Sequence, residues 1–221
     1  MKHLPKLIVS AVLAVGILFV LPAPGQAEAK ELKASLPVLT TSAGQSPDVN
    51  TLNIIMEEAG VKFDYCDVPT VEMVKAGVAL GGKKSGEGFH VEIYTDTAKY
   101  ARGTPYKTII FAIGASLKGM GASGLTIEDE ANRLKAVIDY CKANKIFIIA
   151  AHLGGVSKRG APGGDNERMI DAVAPFADHL IAVADSNKDG RFTKIAEQNK
   201  IPYTEIKFAL GLVEIVQKAF E

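Results

Sequence analysis

Short apolar runs and amphipathic segments alternate along most of the chain, and this pattern predicts strands and helices in turn. The run IIFAI at residues 109–113 does not alternate between apolar and polar positions, which is typical of a strand that helices cover on both faces. We therefore predict that it lies at the centre of a parallel sheet. Further strands are predicted over residues 37–41, 61–66, 145–151, 179–184 and 203–206.

Apolar residues at helical spacing mark the segments between these strands. The residues SPD at 46–48 are typical of a helix start, because serine caps, proline fits the first turn and aspartate complements the helix dipole. Thr126 and Asp129 have the spacing of a capping box. Asp165 is predicted to cap a helix that runs to about Val173.

These alternating elements indicate an α/β fold. Strand–helix–strand steps in a parallel sheet have right-handed crossovers, which place helices on both faces. We predict a three-layer α/β/α sandwich with a Rossmann-like or flavodoxin-like parallel sheet of about five strands. Residues 68–80 predict a weaker helix, and the glycine-rich residues 81–88 predict a mobile surface loop. Residues 89–94 alternate, which predicts a half-exposed strand at an edge or in a hairpin.

The start of the chain has the pattern of a targeting segment. Lys2 and Lys6 precede an apolar stretch over residues 7–20 and a tail of small residues, which is typical of a signal peptide and predicts export to the periplasm or the extracellular space. A retained anchor is the alternative, although a spanning helix needs about 20 apolar residues. The predicted division is a signal peptide over 1–27, a flexible leader over 28–35 and a single α/β domain over 36–221.

The charge balance limits the partners. The chain has 25 basic and 25 acidic residues and a formal net charge of +0, so no general attraction to nucleic acid or to anionic lipid is expected. We predict no nucleic-acid partner and no membrane insertion after signal cleavage. Cys66 and Cys141 could form one disulfide in an oxidising compartment. Because Cys141 falls on the apolar stripe of its helix, we favour buried thiols.

Polar loops follow several of the predicted strands. Ligands of open α/β sheets bind beyond the carboxyl ends of the strands, where the loops 42–46, 114–124, 152–165 and 185–190 would lie. Glycines there allow close approach to an anion, helix-start N–H groups attract it, and a lysine and an arginine add charge. The alternative is that the glycines only form tight turns and the cations are solvated. The predicted ligand-binding residues are Ser42, Gly44, Gln45, Ser46, Ser116, Lys118, Gly119, Gly121, His152, Gly154 and Arg159.

Two nucleotide-binding patterns match only in part. GMGASG at 119–124 fits G-x-G-x-x-G, but it begins well after the end of the strand and no acidic residue follows at a second strand end. GASLKG at 114–119 has the spacing that opens a P-loop, but Met120 stands where lysine is required. We therefore predict no cofactor.

A hydrolase can also be drawn from the sequence. Ser116 and His152 follow adjacent predicted strands, and Asp165, Asp185 or Asp189 could orient the histidine. The sequence GASLK departs from the G-x-S-x-G elbow, because lysine replaces the second glycine. Catalysis by the serine and the histidine is therefore an alternative rather than the leading hypothesis.

The segment DSNKDG at 185–190 matches the first half of a calcium loop, with Asp185, Asn187 and Asp189 as candidate ligands. Ala196 occupies the twelfth position, where a bidentate acid is needed, so a tight polar turn before the next helix is the alternative. The four histidines lack the H-x-x-x-H spacing of a zinc site. We predict no metal.

Four parts of the chain carry a resemblance. TSAGQSPD at 41–48, GASLKGMG at 114–121, HLGG at 152–155 with KRG at 158–160, and residues 185–192 together resemble an exported bacterial family that is catalogued as a domain of unknown function. The resemblance spans nearly the whole predicted mature chain. It implies no particular activity, substrate or catalytic residue.

The residues themselves favour a binding module. We predict that the exported domain binds a small anionic molecule at the carboxyl edge of its sheet, with a membrane transporter as a possible partner. An exported hydrolase that uses Ser116 and His152 is one alternative, and a structural or interaction protein is the other.

Overall fold

The computed structural model describes residues 31–221. The predicted signal peptide over 1–27 and the first part of the predicted leader lie outside the described residues. Within residues 31–221 the strands are β1 (Val38–Ala43), β2 (Asp64–Cys66), β3 (Val91–Ile93), β4 (Thr108–Ile113), β5 (Phe147–His152), β6 (His179–Val183) and β7 (Tyr203–Ile206). The α-helices of this part are α1 (Asp48–Glu58), α2 (Val71–Lys75), α3 (Leu117–Ala122), α4 (Ile127–Ala143), α5 (Asp165–Val173), α6 (Arg191–Asn199) and α7 (Leu212–Ala219).

The strands form one mostly parallel sheet in the order β3-β2-β1-β4-β5-β6-β7. Neighbouring strands are parallel except for β3, which pairs antiparallel with β2. Without β3, this is the doubly wound order of flavodoxin-like sheets, and the winding reverses between β1 and β4. The loops after β1 and β4 therefore flank the topological switch point.

The strand count of about five is wrong, because the described sheet has seven strands. Each of the seven strands overlaps a segment that was predicted to be a strand, including the short and partly buried edge strands β3 and β7, so the sequence located the strands and only the number given for the sheet was too low. The edge position of β3 confirms one of the two placements predicted for residues 89–94. The α/β class, the parallel sheet and the helices on both faces are as predicted.

Helices cover β4 on both sides, which explains its unbroken apolar sequence. Ile109, Phe111 and Ile113 pack in the core beneath α2, α4, α5 and α6. Ile110 and Ala112 point to the other face and pack with α1 and α7. Burial of each large apolar side chain contributes about 1.5–3 kcal/mol, so these side chains stabilise the centre of the sheet from both faces.

The helix starts follow the sequence closely. Thr126 and Asp129 form the predicted capping box, in which the Thr126 amide donates to Asp129 Oδ2 (3.0 Å) and the Asp129 amide donates to Thr126 Oγ1 (3.1 Å). The predicted cap of α5 is wrong by one residue, since Gly164 is the N-cap and Asp165 is the first helical residue. The cap of α1 is likewise shifted by one, to Pro47.

A short helix, α3, replaces part of the glycine-rich loop that the sequence predicts after β4. Ser116 caps it by accepting a hydrogen bond from the Gly119 amide (3.1 Å). Glycine has a low helix propensity, but a Cβ on Gly119 would lie 2.3 Å from the carbonyl oxygen of Gln45. Close packing against the β1 loop therefore explains why glycine stands inside this helix.

Residues 31–35 pack against the domain, in contrast to the flexible leader predicted over 28–35. Leu32 is buried in the core beside α1 and α7. The Ala34 amide donates to the carbonyl oxygen of Ala219 (3.0 Å), and the Ser35 amide donates to Thr108 Oγ1 (3.1 Å). The buried Leu32 side chain and these two hydrogen bonds together hold the segment against the domain.

The region between β2 and β4 departs most from the prediction. The helix predicted over 68–80 is only α2, and a tight turn with left-handed backbone at Ala79 and Leu80 follows it. The buried carboxylate of Asp64 holds this turn by accepting hydrogen bonds from the Ala79 amide (2.8 Å) and from the Tyr106 hydroxyl (2.6 Å). Residues 83–87 after the turn are exposed.

Both cysteines are free and buried, as we favoured from the sequence. Burial raises the pKa of each thiol to about 12, so both remain protonated at neutral pH. Among residues 31–221, none of the helices combines the length and the apolarity that crossing a bilayer requires.

Candidate functional site

The loops that follow β1, β4 and β5 contact one another at the carboxyl edge of the sheet. The Ser116 amide donates to the carbonyl oxygen of Gly44 (2.7 Å), which joins the β4 loop to the β1 loop. Lys158 Nζ donates to the carbonyl oxygen of Ala115 (3.3 Å), which joins the β5 loop to the β4 loop. These three of the predicted site loops therefore form one continuous surface.

A cleft of about 390 Å³ opens on this surface beside the switch point, and we call it the switch-point cleft. Its floor is the end of β1, and its sides are the start of α1, helix α3 and the residues that end β2. Its volume is that of a site for a small metabolite. The lining residues are Ser42, Gln45, Ser46, Pro47, Val49, Asn50, Tyr65, Asp67, Ser116, Lys118, Gly119, Ala122 and Ser123.

Ser42 has an unsatisfied hydroxyl at the floor of the cleft. The residue is 0% exposed, and its Oγ has no hydrogen-bond partner in the described part of the chain. Its backbone carbonyl, by contrast, accepts a hydrogen bond from Arg133 Nη2 (2.9 Å). Buried hydroxyls without a partner are rare because they cost about 1–3 kcal/mol. The base of the cleft therefore holds a hydroxyl that has no hydrogen-bond partner within residues 31–221.

Gly44 and Gln45 shape the floor by bending the chain sharply after β1. Gly44 has φ +100°, and a Cβ there would lie 2.5 Å from the carbonyl oxygen of Gly114, so only glycine fits. Gln45 has φ 57°, and its Nε2 donates to the carbonyl oxygen of Asp67 (3.0 Å) and to Glu130 Oε1 (3.2 Å). The side-chain amide of Gln45 thus supports the cleft by joining the β1 loop to the residues after β2 and to α4.

A buried ion pair from α4 holds this turn, and sequence analysis missed it. Glu130 Oε1 accepts hydrogen bonds from the Gly44 amide (2.8 Å) and from Arg133 Nη2 (2.8 Å). Glu130 is 0% exposed. The available signal was its position on the apolar stripe of α4, three residues after Ile127 and four before Leu134. An acid on such a stripe indicates a buried partner.

The walls of the cleft carry opposite charges. Lys118 on α3 is exposed and forms no ion pair within residues 31–221. Asp67, just after β2, is half-buried, and its Oδ1 accepts a hydrogen bond from the His90 amide (2.7 Å). Burial raises the pKa of the Asp67 carboxyl above its ordinary value. Burial likewise raises the pKa of Tyr65, so its hydroxyl stays protonated.

The start of α1 is less open to an anion than the sequence suggests. Asp48 lies in its first turn, and its Oδ2 accepts a hydrogen bond from the Ser46 hydroxyl (2.8 Å). Ser46 Oγ in turn accepts a hydrogen bond from the Asp48 amide (3.2 Å). Because a carboxylate already faces these groups, Lys118 is the main source of positive charge in the cleft.

His152 and Ser116 do not form a nucleophile–base pair in this structure. His152 is fully buried, its Nε2 lies 3.0 Å from the carbonyl oxygen of Lys158, and its ring packs on Phe192. Burial lowers its pKa, so the ring is neutral at pH 7. No hydrogen bond of the described residues joins it to Ser116, whose Oγ instead caps α3. His152 Nδ1 has no partner in that part of the chain.

The guanidinium of Arg159 is occupied by protein groups. Its Nε donates to Glu167 Oε1 (2.7 Å) and its Nη2 donates to Asp189 Oδ2 (2.7 Å), while Nη1 donates to the carbonyl oxygen of Ser186. It also lies 5.5 Å above the ring of Phe192. Arg159 is therefore part of a closed network, and it does not line the switch-point cleft.

Of the candidate calcium ligands Asp185, Asn187 and Asp189, Asp189 belongs to the Arg159 network and Asn187 is held by other protein groups. Asp189 pairs with Arg159, which lowers the pKa of its carboxyl to about 2. Asn187 Nδ2 donates hydrogen bonds to Thr193 Oγ1 and Glu205 Oε2, and its Oδ1 accepts one from the Phe192 amide. Within residues 31–221, no group of three or more His, Cys, Asp or Glu side chains has an arrangement that could hold a metal ion.

Two further glycines that were predicted to bind the ligand, Gly154 and Gly121, do not do so through the cleft. A Cβ on Gly154 would lie 2.3 Å from Lys158 Cγ and 2.5 Å from Asp48 Oδ2, so glycine there allows the β5 loop to approach α1. A Cβ on Gly121 of α3 would meet no atom of residues 31–221 within 4 Å. Neither residue lines the cleft.

Comparison with solved structures gives a distant neighbour. A protein from Bacteroides fragilis described as a "putative acylhydrolase" is 13% identical, with 81% of this chain and 72% of that chain covered and a TM-score of 0.33. None of the curated proteins compared with this chain matches it. A family model, the domain of unknown function DUF6305, matches residues 35–220. The match spans nearly all of the described residues, and the chain belongs to the DUF6305 family.

Proposed function

We propose that this domain binds a small anionic ligand in the switch-point cleft. The observation that carries the proposal is the Ser42 hydroxyl, which is buried at the floor of the cleft without a partner in residues 31–221. A ligand oxygen at this point would satisfy a group whose isolation costs about 1–3 kcal/mol. The position supports the same conclusion, since doubly wound sheets bind ligands where the winding reverses.

The polar groups of the cleft suit a carboxylate or a phosphate. Lys118 offers an ammonium group that is free of ion pairs in the described residues. Ser116 Oγ accepts a hydrogen bond from Gly119, which leaves its own proton to donate. Ser42 offers a further hydroxyl. Hydrogen bonds from an ammonium group to an anionic oxygen are stronger than neutral ones, so Lys118 is expected to dominate affinity.

The proposal includes a location and a partner. The amino-terminal pattern of positive residues, apolar stretch and small residues supports export. An exported domain that binds one small anion could deliver it to a membrane transporter, and this is the role we propose. Cell fractionation with detection of the shortened mature chain tests the location independently of binding.

Isothermal titration calorimetry against a panel of carboxylates and phosphates tests the binding function. We expect saturable binding of at least one compound and a loss of about tenfold or more in Lys118→Met, equivalent to about 1.4 kcal/mol. The matched control is Lys194→Met, which removes an exposed lysine of α6 outside the cleft. The proposal fails if nothing in the panel binds, or if the two lysine variants bind equally well.

A further inference from the structure

Asp67 gives the switch-point cleft a negative charge that a simple anion would not use. Its carboxylate is half-buried and accepts a hydrogen bond from the His90 amide, yet no lysine or arginine of residues 31–221 pairs with it. Burying a charge is unfavourable unless a partner of opposite sign is present. Burial raises the pKa of this carboxyl above its ordinary value, which shows that the charged form is held in a partly desolvated position.

The two cleft charges stand on opposite sides of β1. Asp67 follows β2 and Lys118 lies on the helix that follows β4, and these strands are the two neighbours of β1. With strands about 4.8 Å apart, the bases of the two walls are roughly 10 Å apart. The Ser42 hydroxyl lies between them on the floor. The cleft is therefore polarised, positive on the α3 side and negative on the β2 side.

The β2 wall also has an aromatic component. Tyr65 is in β2, lines the cleft and lies in edge-to-face contact with His90, with ring centroids 6.0 Å apart. A ring beside a carboxylate is a common environment for a ligand ammonium group, because the ring face and the carboxylate both attract a cation. This wall is thus suited to a cationic group of the ligand.

We infer that the ligand is a zwitterion of amino-acid size, held with its carboxylate toward Lys118 and its ammonium group toward Asp67. The inference rests on the proposed function, since it concerns the same cleft. A monoanion of equal size would meet Lys118 favourably but would leave Asp67 unpaired and close to a like charge. A zwitterion satisfies both walls, and the cleft volume of about 390 Å³ accommodates it.

Matched ligands of one carbon skeleton test the inference by calorimetry. The probes are butyrate, butylamine, 2-aminobutyrate and 4-aminobutyrate, followed by the common amino acids and their deaminated analogues. We expect at least one zwitterion to bind tenfold or more tightly than its matched carboxylate. In Asp67→Asn this advantage should disappear while binding of the carboxylate is kept or improved. The matched control, Glu58→Gln, removes an exposed acid at the end of α1 and should change neither affinity.

The outcomes separate the two proposals. If carboxylates bind as tightly as the matched zwitterions, or if Asp67→Asn weakens both equally, the zwitterion inference is wrong and anion binding stands. If neither class binds, the proposed function itself is wrong, and the inference falls with it. A folded Asp67→Asn variant is verified by its thermal midpoint before titration, so that loss of binding is not mistaken for loss of structure.

Discussion

Two polar regions lie at the carboxyl edge of the same sheet, and they differ in how their polar groups are satisfied. In the region after β5 and β6, Arg159 is paired with Glu167 and Asp189 at 2.7 Å each. In the switch-point cleft, Lys118 and Ser42 have no such partners in the described residues. The first region is a closed network that stabilises the fold, whereas the second is open to a ligand.

Whether such a loop is open to a ligand depends more on its position in the sheet than on its composition. Both regions contain glycine, serine and a basic residue, and by sequence both are equal candidates. Side chains from α5 and from the loop before α6 reach Arg159, because three neighbouring elements surround it. At the reversal of the winding the helices lie on opposite faces, so the start of α1 and helix α3 leave a cleft between them beside the ends of β1 and β4.

The largest expected effect comes from the ion pair beneath the cleft. Glu130→Gln leaves the Arg133 guanidinium without its carboxylate in a buried position. Removing one partner of a buried pair costs about 3–5 kcal/mol, and we expect a loss of that size in the free energy of unfolding, measured by urea denaturation. Because Gly44 and Gln45 also depend on Glu130, ligand affinity should fall as well.

A double-mutant cycle distinguishes pairing from general damage at this position. Arg133→Met alone and together with Glu130→Gln gives the coupling energy of the two side chains. A coupling close to zero, or a loss below about 1 kcal/mol in Glu130→Gln, would show that the pair does not hold the turn. The surface variant Glu58→Gln is expected to leave the urea midpoint unchanged.

Much of the fold could be predicted because it follows from local patterns. The unbroken apolar run at 109–113 identified the central strand, and the capping box at Thr126 identified the start of α4. Strands were also predicted over the segments that form β3 and β7, so only the number assigned to the sheet was too low. The turn at Ala79 and Leu80 could not be predicted, since its left-handed backbone is imposed by a distant buried carboxylate rather than by its own residues.

Only part of the candidate site could be predicted from the sequence. Gln45 and Lys118 were predicted as lining residues because they follow strands in polar loops, and they do line the cleft. Asp67 and Tyr65 were missed, since they end a strand whose place beside β1 is set by tertiary pairing. Arg159 was assigned to the site from its charge, and the partners that occupy it are distant in sequence or lie on another element.

An intermediate effect is expected in the closed network. Arg159→Met keeps most of the apolar stem but removes one of the two arginines that pair with the buried Glu167, whose other partner is Arg191 (2.7 Å). Because Arg191 still compensates the Glu167 charge, we expect a loss of about 1–3 kcal/mol in the free energy of unfolding, the cost of the lost hydrogen bonds. Ligand affinity in the switch-point cleft should not change. A tenfold loss of affinity in a folded Arg159→Met variant would mean that the two regions are not independent.

The smallest effect concerns Ser42, and its sign is the informative part. Ser42→Ala removes a buried hydroxyl that has no partner within residues 31–221, so the free energy of unfolding without ligand should stay the same or rise by up to about 1 kcal/mol. Affinity for the carboxylate that binds most tightly should fall, because the ligand loses a hydrogen bond worth about 1 kcal/mol.

The matched control on the same strand is Thr40→Val. The Thr40 hydroxyl donates a hydrogen bond to Asn53 Oδ1 (2.8 Å). Loss of this hydroxyl leaves the buried Asn53 acceptor unpaired, so Thr40→Val should destabilise the protein by about 1–3 kcal/mol without lowering the affinity for the ligand. Equal destabilisation in both variants would show that the Ser42 hydroxyl is satisfied in the free protein and is not held ready for a ligand.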